Sequence, residues 1–151
     1  MALTDPADAT PPETAARLAR GVTRAFMDLG YSCLLEFKLN TGRRVDLIGL
    51  NAKSEVVIVE IKTTLADYRG DRKWPEYLPY CDRFFFAVPL DFPLRHLPDG
   101  YGLIVADGFD AAIRRPAPVQ GMNGTRRKAL VLRFGLTAAE RLTNRIDPSL
   151  P

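Results

Sequence analysis

The sequence has few of the residues on which several common kinds of functional site depend. Its 151 residues include two cysteines and one histidine. Cys33 and Cys81 are too few for a disulfide framework, and His96 alone leaves a Cys/His zinc site short of ligands. A phosphate-binding glycine loop and a GxGxxG dinucleotide fingerprint are also missing. These absences argue against a disulfide scaffold, a zinc finger and the common nucleotide-binding motifs.

Long apolar runs are lacking too. No stretch approaches the roughly 20 apolar residues that span a bilayer. Residues 1–12 have neither the basic start nor the apolar core of a signal peptide, so we expect a cytoplasmic protein that does not enter the membrane. Apolar residues make up 46% of the chain and charged residues 26%, as in ordinary globular proteins. We predict a disordered lead-in over 1–12, a single domain over 13–145 and a flexible tail over 146–151.

Hydrophobic periodicity predicts an α/β (α+β) fold, a mixed β-sheet flanked by helices. Residues 13–29 have apolar positions at helical spacing, and the core order that follows is α-β-β-β-α-β. The second helix, over 65–81, is expected to be interrupted near its prolines. Two short strands and a last helix over 125–142 complete the chain. The predicted strands cover 31–39, 43–50, 55–64, 82–89, 100–107 and 111–115.

The third predicted strand contains the run VIVEIK, in which a carboxylate and an ammonium interrupt an apolar strand. If the first two hairpins each close on three-residue loops, Glu36 lies opposite Asp46 and Asp46 lies opposite Glu60. Like charges at facing positions are destabilising unless a cation lies between them. Oxygen ligands in this arrangement suit Mg²⁺ or Mn²⁺. The same register predicts a basic row on the same face, formed by Lys38, Arg44 and Lys62.

Two other interpretations of these charges stay open. Glu60 with Arg44, or Lys62 with Asp46, would form a structural ion pair at the mouth of the sheet. A slip of one residue in the register would instead put Asp46 and Glu60 on opposite faces.

The spacing of Asp46 and the run Glu60-Ile61-Lys62 resembles the PD-(D/E)xK nuclease superfamily. More closely, the chain is similar to the MmcB-type DNA repair proteins of that superfamily. The similarity runs through GRRVDLIGL, EVVIVEIKTTLADYRGDRKWPEYLPYCDRFFFAVP, GLIVAD and RRKALVLRF, covering about residues 13–135. One departure is Val45, which stands where the superfamily pattern has proline.

This resemblance implies a restriction-endonuclease-like sheet and metal-dependent hydrolysis of DNA phosphodiesters. Asp46 and Glu60 match the metal-binding acids, and Lys62 matches the catalytic lysine. The resemblance further implies that the backbone carbonyl of Ile61 completes the ligands of Mg²⁺ or Mn²⁺, and Glu36 fits an accessory acid.

Several basic residues and one tryptophan are candidates for contact with DNA. Arg43 and Arg44, near the acids, are candidates for phosphate contact. Lys73 and Trp74 follow the third strand and are placed to touch a phosphate and to stack on a base, although packing on the sheet explains Trp74 equally well. A basic run after a glycine-rich loop could grip the DNA backbone or form a solvated helix start; it comprises Arg126, Arg127 and Lys128.

Three functions therefore remain open. The first is a metal-dependent nuclease acting in DNA repair, and the second is a non-catalytic DNA-binding or partner-docking module with the same fold. The third is an α/β domain whose acidic residues are structural. DNA is the expected partner. A homodimer would suit cutting of both strands, and other DNA-repair proteins are candidate partners.

Overall fold

The computed structural model describes residues 9–151. They form three α-helices, two short 3₁₀ helices and one six-stranded sheet. The fold class is the one predicted, a mixed sheet flanked by helices. The α-helices are α1 (Pro11–Asp28), α2 (Leu65–Gly70) and α3 (Gly124–Ile146). The strands are β1 (Ser32–Lys38), β2 (Arg44–Leu50), β3 (Val56–Ile61), β4 (Arg83–Val88), β5 (Gly102–Ala106) and β6 (Ala111–Arg115).

Helix α1 begins earlier than predicted. The hydroxyl of Thr10 accepts the backbone N–H of Glu13, and the Glu13 carboxylate accepts the Thr10 N–H, which forms a capping box ahead of Pro11. The lead-in predicted over 1–12 is therefore wrong at its last two residues, which are helical. Residues 1–8 lie outside the described part of the chain.

The strands lie side by side in the order of the sequence, from β1 to β6. The β1–β2, β2–β3 and β5–β6 pairs are antiparallel, whereas β3–β4 and β4–β5 are parallel. The first two hairpins have the predicted register, with Phe37 opposite Val45 and Leu47 opposite Val59. The charged residues near the ends of these strands therefore lie at the same end of the sheet.

The connection from β3 to β4 crosses one face of the sheet as two short helices. Thr64 caps α2 by accepting the backbone N–H of Asp67. A 3₁₀ helix follows over Trp74–Tyr80, with Pro75 in its first turn and Pro79 inside it. Because proline cannot donate a backbone hydrogen bond, the predicted long helix is divided.

Two apolar layers enclose the sheet. On one face, α1 buries Leu18, Val22 and Phe26 against the sheet. On the other face, the 3₁₀ helix over Trp74–Tyr80 and α3 cover the sheet, and α3 contributes Leu130 and Phe134. Within the described residues, no helix has both the length and the apolar character needed to span a membrane. The sheet is thus covered on both faces, and its strand ends carry the polar groups described next.

Candidate active site

The carboxylates of Asp46 on β2 and Glu60 on β3 each accept a backbone N–H from the other strand. The regular ladder between these strands ends at Leu47 and Val59. Beyond it, the Asp46 N–H donates to Glu60 Oε1 at 3.0 Å, and the Ile61 N–H donates to Asp46 Oδ2 at 2.8 Å. Each carboxylate thus replaces a backbone carbonyl as acceptor. This arrangement fixes the two carboxylates side by side at the end of the strand pair.

Both carboxyl groups resist ionisation. Glu60 is only 4% exposed, and burial together with the neighbouring Asp46 raises the pKa of Glu60 from 4.5 to about 9. Burial likewise raises the pKa of Asp46. Desolvation is the largest cause for both groups, and nearby carboxylates add to it, Asp46 for Glu60 and Glu36 and Asp67 for Asp46. A cation held between the carboxylates would offset both.

The oxygen atoms of the two carboxylates are suitable ligands for such a cation. Within residues 9–151, no hydrogen-bond donor reaches the second oxygen of either carboxylate, Asp46 Oδ1 or Glu60 Oε2. The same described residues leave no buried side-chain oxygen without a partner, so these two oxygens must be open to solvent. Two carboxylate oxygens without a hydrogen-bond donor, one on each of two neighbouring strands, are ligands of the kind that Mg²⁺ and Mn²⁺ prefer.

Lys62 lies two residues beyond Glu60 and is 5% exposed. Its Nζ donates to Asp71 Oδ2 at 2.6 Å and lies 4.0 Å from Asp67 Oδ1. Burial lowers the pKa of Lys62, but the hydrogen bond to Asp71 and the nearby carboxylates outweigh it, so the pKa is raised overall. The Lys62 ammonium therefore stays charged at the buried end of β3.

The ion pairs left open by the sequence do not form among the described residues. Lys62 pairs with Asp71 and Asp67 rather than with Asp46. Arg44 lies 3.7 Å from Glu36 rather than beside Glu60. The Lys62 ammonium therefore has its partners outside the strand pair, whereas Glu60 accepts the Asp46 N–H within it.

Glu36 does not complete a row of three carboxylates. It has a positive φ of 49°, which breaks the alternation of β1, and its side chain is 65% exposed. Arg141 of α3 donates to the carbonyls of Leu35 and Glu36 at this distortion. The described chain contains no group of three His, Cys, Asp or Glu side chains placed to hold a metal ion. The predicted three-carboxylate row is thus reduced to the Asp46–Glu60 pair.

The basic residues beside the acids are exposed and only partly engaged. The Arg43 Nε donates to Glu76 at 2.8 Å across the mouth of the site. Arg44 begins β2 two residues before Asp46. The Lys73 side chain is exposed, and its backbone N–H donates to Asp71. These three side chains lie at the same end of the sheet as the carboxylates.

Trp74 belongs to the core. Its ring stacks on Phe84 at a centroid separation of 5.6 Å and meets the edges of Phe86 and Tyr101 at 5.1 Å each. One face of the indole is therefore covered by protein. Packing on the sheet, which the sequence left as an alternative, accounts for Trp74, and base stacking stays a prediction.

The predicted basic run of α3 lies at the other end of the sheet. The Arg127 guanidinium donates to both carboxylate oxygens of Asp82 at 2.6 Å and to the Ser54 carbonyl at 2.7 Å. Asp82 also accepts the Val56 N–H, so Arg127 clamps α3 to the start of β3. Glu60 lies four residues further along, about 13 Å at the rise of a strand. Arg127 therefore has a structural role, and its contact with DNA stays a prediction.

The neighbours of Arg127 are more exposed. Arg126 lies over the ring of Tyr80, with its guanidinium carbon 5.1 Å from the ring centroid. Lys128, two residues further along α3, is also exposed. Because both belong to the helix start that Arg127 ties down, neither lies beside the carboxylate pair.

Asp71 is the site residue that the sequence analysis missed. Its side chain is 14% exposed and accepts both the Lys62 ammonium and the Lys73 N–H. Burial raises the pKa of Asp71, but these hydrogen bonds lower it overall. The sequence does contain a feature that could have identified Asp71, since it is an aspartate directly after the short helix that follows the strand with the E-x-K run.

Comparison with known proteins identifies a family and a solved structure with a similar fold. The family described as DNA repair protein MmcB-like matches residues 3–149. A search of curated proteins finds no significant match. Among solved structures, the SPO1766 protein of unknown function from Silicibacter pomeroyi is 42% identical, with a TM-score of 0.86 over 93% of this chain and 94% of that one. The chain therefore belongs to the MmcB-like family of DNA repair proteins.

Proposed function

We propose that this protein is a metal-dependent DNA nuclease of the PD-(D/E)xK type. The observation that carries the proposal is the Asp46–Glu60 pair, held side by side through backbone N–H groups with the charged Lys62 two residues away. A role in DNA repair follows from the family. Cleavage of DNA is the additional step that this pair supports.

Asp46, Glu60 and the backbone carbonyl of Ile61 would hold Mg²⁺ or Mn²⁺. When bound, the cation supplies a water nucleophile at neutral pH and neutralises charge that develops on the phosphoryl oxygens. The backbone hydrogen bonds of the two carboxylates occupy one oxygen of each and leave the other oxygen free to bind a cation. The protein therefore contributes a prearranged donor set rather than one that must assemble on binding.

Lys62 contributes a fixed positive charge. Its hydrogen bond to Asp71 holds the ammonium in place and keeps its proton. A buried, immobile cation stabilises negative charge on a phosphate more strongly than a solvated one does. Arg43, Arg44 and Lys73 lie at the same end of the sheet and would contact flanking phosphates.

The test is divalent-dependent cleavage of DNA by purified protein, with single-stranded, duplex and branched substrates. Asp46→Asn, Glu60→Gln and Lys62→Ala should each abolish cleavage, with unchanged far-ultraviolet circular dichroism. Glu36→Gln is the matched control, since this exposed carboxylate lies outside the pair, and it should cut normally.

Two results would contradict the proposal. Wild-type activity in Lys62→Ala would remove the lysine from the mechanism. DNA binding without cleavage of any substrate would favour the non-catalytic DNA-binding or partner-docking module.

A further inference from the structure

A groove of about 940 Å³ lies between α1 and the carboxyl ends of β3, β4 and β5. These three strands are parallel neighbours. The carboxyl ends of parallel strands are where ligands most often bind in mixed α/β sheets. The groove lies on the α1 side of the sheet, whereas the Glu60 and Lys62 side chains lie on the opposite side.

One wall of the groove is a row of arginines on α1. Arg17, Arg20 and Arg24 line it, and their spacing puts them on one face of the helix. From Arg17 to Arg24 the row extends about 10 Å. None of the three forms an ion pair with another residue in 9–151. Among residues 9–151, these three side chains therefore have no carboxylate within ion-pair distance, and all three face a single groove.

Two aspartates also line the groove but do not cancel this charge. Asp91 is exposed on the β4 side. The Asp107 carboxylate accepts the backbone N–H groups of Phe109 and Asp110 at 2.8 and 2.9 Å, and these bonds lower its pKa. The Asp107 carboxylate therefore stays negatively charged. Three arginines against two aspartates leave the groove lining with one net positive charge, and the positive charge is concentrated along α1.

Apolar side chains form the rest of the groove's rim and are exposed to solvent. Phe109, in the turn between β5 and β6, is 77% exposed, and Leu90, after β4, is 75% exposed. The Phe109 turn is held directly against α1 because Gly21 leaves room for the carbonyl oxygens of Asp107 and Asp110. The turn that carries the exposed Phe109 ring is thereby held beside α1, the helix that carries the arginine row.

The groove adjoins the carboxylate site at the end of β3. Thr63 and Thr64, which line it, directly follow Lys62. A chain lying in the groove would cross the end of β3 to reach the other face of the sheet, where Glu60 and Lys62 lie. The groove and the site are therefore consecutive along one path.

We propose that this groove binds single-stranded DNA and directs it to the Asp46–Glu60–Lys62 site. The arginines neutralise phosphates, and Phe109 stacks on an unpaired base. A duplex keeps its bases stacked inside and would leave Phe109 and Leu90 without partners, so a single strand is the ligand that uses both walls. Binding in the groove stands on its own, whereas delivery to the site rests on the proposed nuclease function.

The test is fluorescence anisotropy with a labelled oligothymidylate and a duplex of equal length, in EDTA so that no cleavage occurs. Arg20→Ala/Arg24→Ala should reduce the slope of log affinity against log salt by about 1.4, since each single-strand phosphate contact contributes about 0.7. Phe109→Ala should weaken oligothymidylate binding at least about fivefold, the low end for one base stack. Arg95→Ala/Arg145→Ala is the control, because it removes the same charge from exposed positions outside the groove.

The proposal predicts tighter binding of oligothymidylate than of duplex and unchanged binding in the control variant. It is overturned if wild type binds neither probe, if duplex binds as tightly, or if the control loses as much affinity as the groove variant. Single-strand binding without cleavage would refute the nuclease and leave the groove assignment intact. If the protein cleaves DNA but Arg20→Ala/Arg24→Ala binds oligothymidylate as tightly as wild type, the groove assignment is refuted and the nuclease function is left intact.

Discussion

Replacing Glu60 by glutamine is expected to stabilise the metal-free protein at neutral pH. The pKa of Glu60 is about 9 in the folded protein, against 4.5 ordinarily. A carboxyl group whose pKa is raised on folding favours the folded state below about pH 4.5, and this contribution is lost as the pH rises through about 9. Glutamine keeps the oxygen that accepts the Asp46 N–H and has no proton to lose. The variant therefore behaves as the protonated wild type at every pH.

The size of the effect follows from the interval between the ordinary pKa and the working pH. At pH 7 the unfolded Glu60 is ionised and the folded Glu60 is not, which costs the wild type about 3 kcal/mol. For a chain of 151 residues, this corresponds to a melting temperature about 6–12 °C higher in Glu60→Gln. At about pH 4 the two proteins should melt together.

The assay is thermal unfolding followed by circular dichroism in EDTA, from about pH 4 to about pH 8, with Glu36→Gln as control. Glu36 is exposed, so its variant should follow the wild type throughout. Added Mn²⁺ should raise the melting temperature of the wild type and not of Glu60→Gln. A Glu60→Gln protein that is less stable than the wild type at pH 7, or a difference that does not change with pH, would refute the burial argument.

Two further predictions concern residues that sequence reasoning placed elsewhere or did not find. Arg127→Ala should lower the free energy of unfolding in urea by about 3 kcal/mol, because it leaves the buried Asp82 without its charged partner. The control variant Arg126→Ala should lower it by less than about 1 kcal/mol. Equal losses in the two variants would contradict the structural role of the Arg127–Asp82 pair. Asp71→Asn should lower the pKa of Lys62, so the high-pH limb of the cleavage profile should move to lower pH, and an unchanged profile would contradict the positioning role of Asp71.

The pairing of the first three strands could be predicted because short loops constrain register. The Leu39 N–H donates to the Arg43 carbonyl and the Asn51 N–H donates to the Glu55 carbonyl, as two closed three-residue loops require. Once these loops are set, Asp46 must lie across from Glu60. The central pair of the site was therefore accessible from the sequence.

The distortion at Glu36 could not be predicted in the same way. A counted register assumes strict alternation of side chains, and a single residue with positive φ breaks it. The carbonyls of Leu35 and Glu36 are held by Arg141, more than a hundred residues along the chain. Local spacing carries no information about such a partner.

Other parts of the site depend on similarly distant contacts. The Arg127–Asp82 clamp joins residues 45 positions apart, so the basic run alone gave no sign that its central arginine was occupied. The sequence analysis did not single out the arginine row of α1. Its significance depends on the groove, and the turn after β5 that lines this groove approaches α1 closely at Gly21.

The most direct test of the account is calorimetric titration of Mn²⁺ in the presence of a short DNA duplex. Wild type should bind the ion, and Asp46→Asn/Glu60→Gln should not, because the two free carboxylate oxygens supply the protein's acidic ligands. The titration needs no knowledge of the natural substrate. Absence of binding in both proteins, each shown to be folded, or equal binding in both, would contradict a metal site at the Asp46–Glu60 pair.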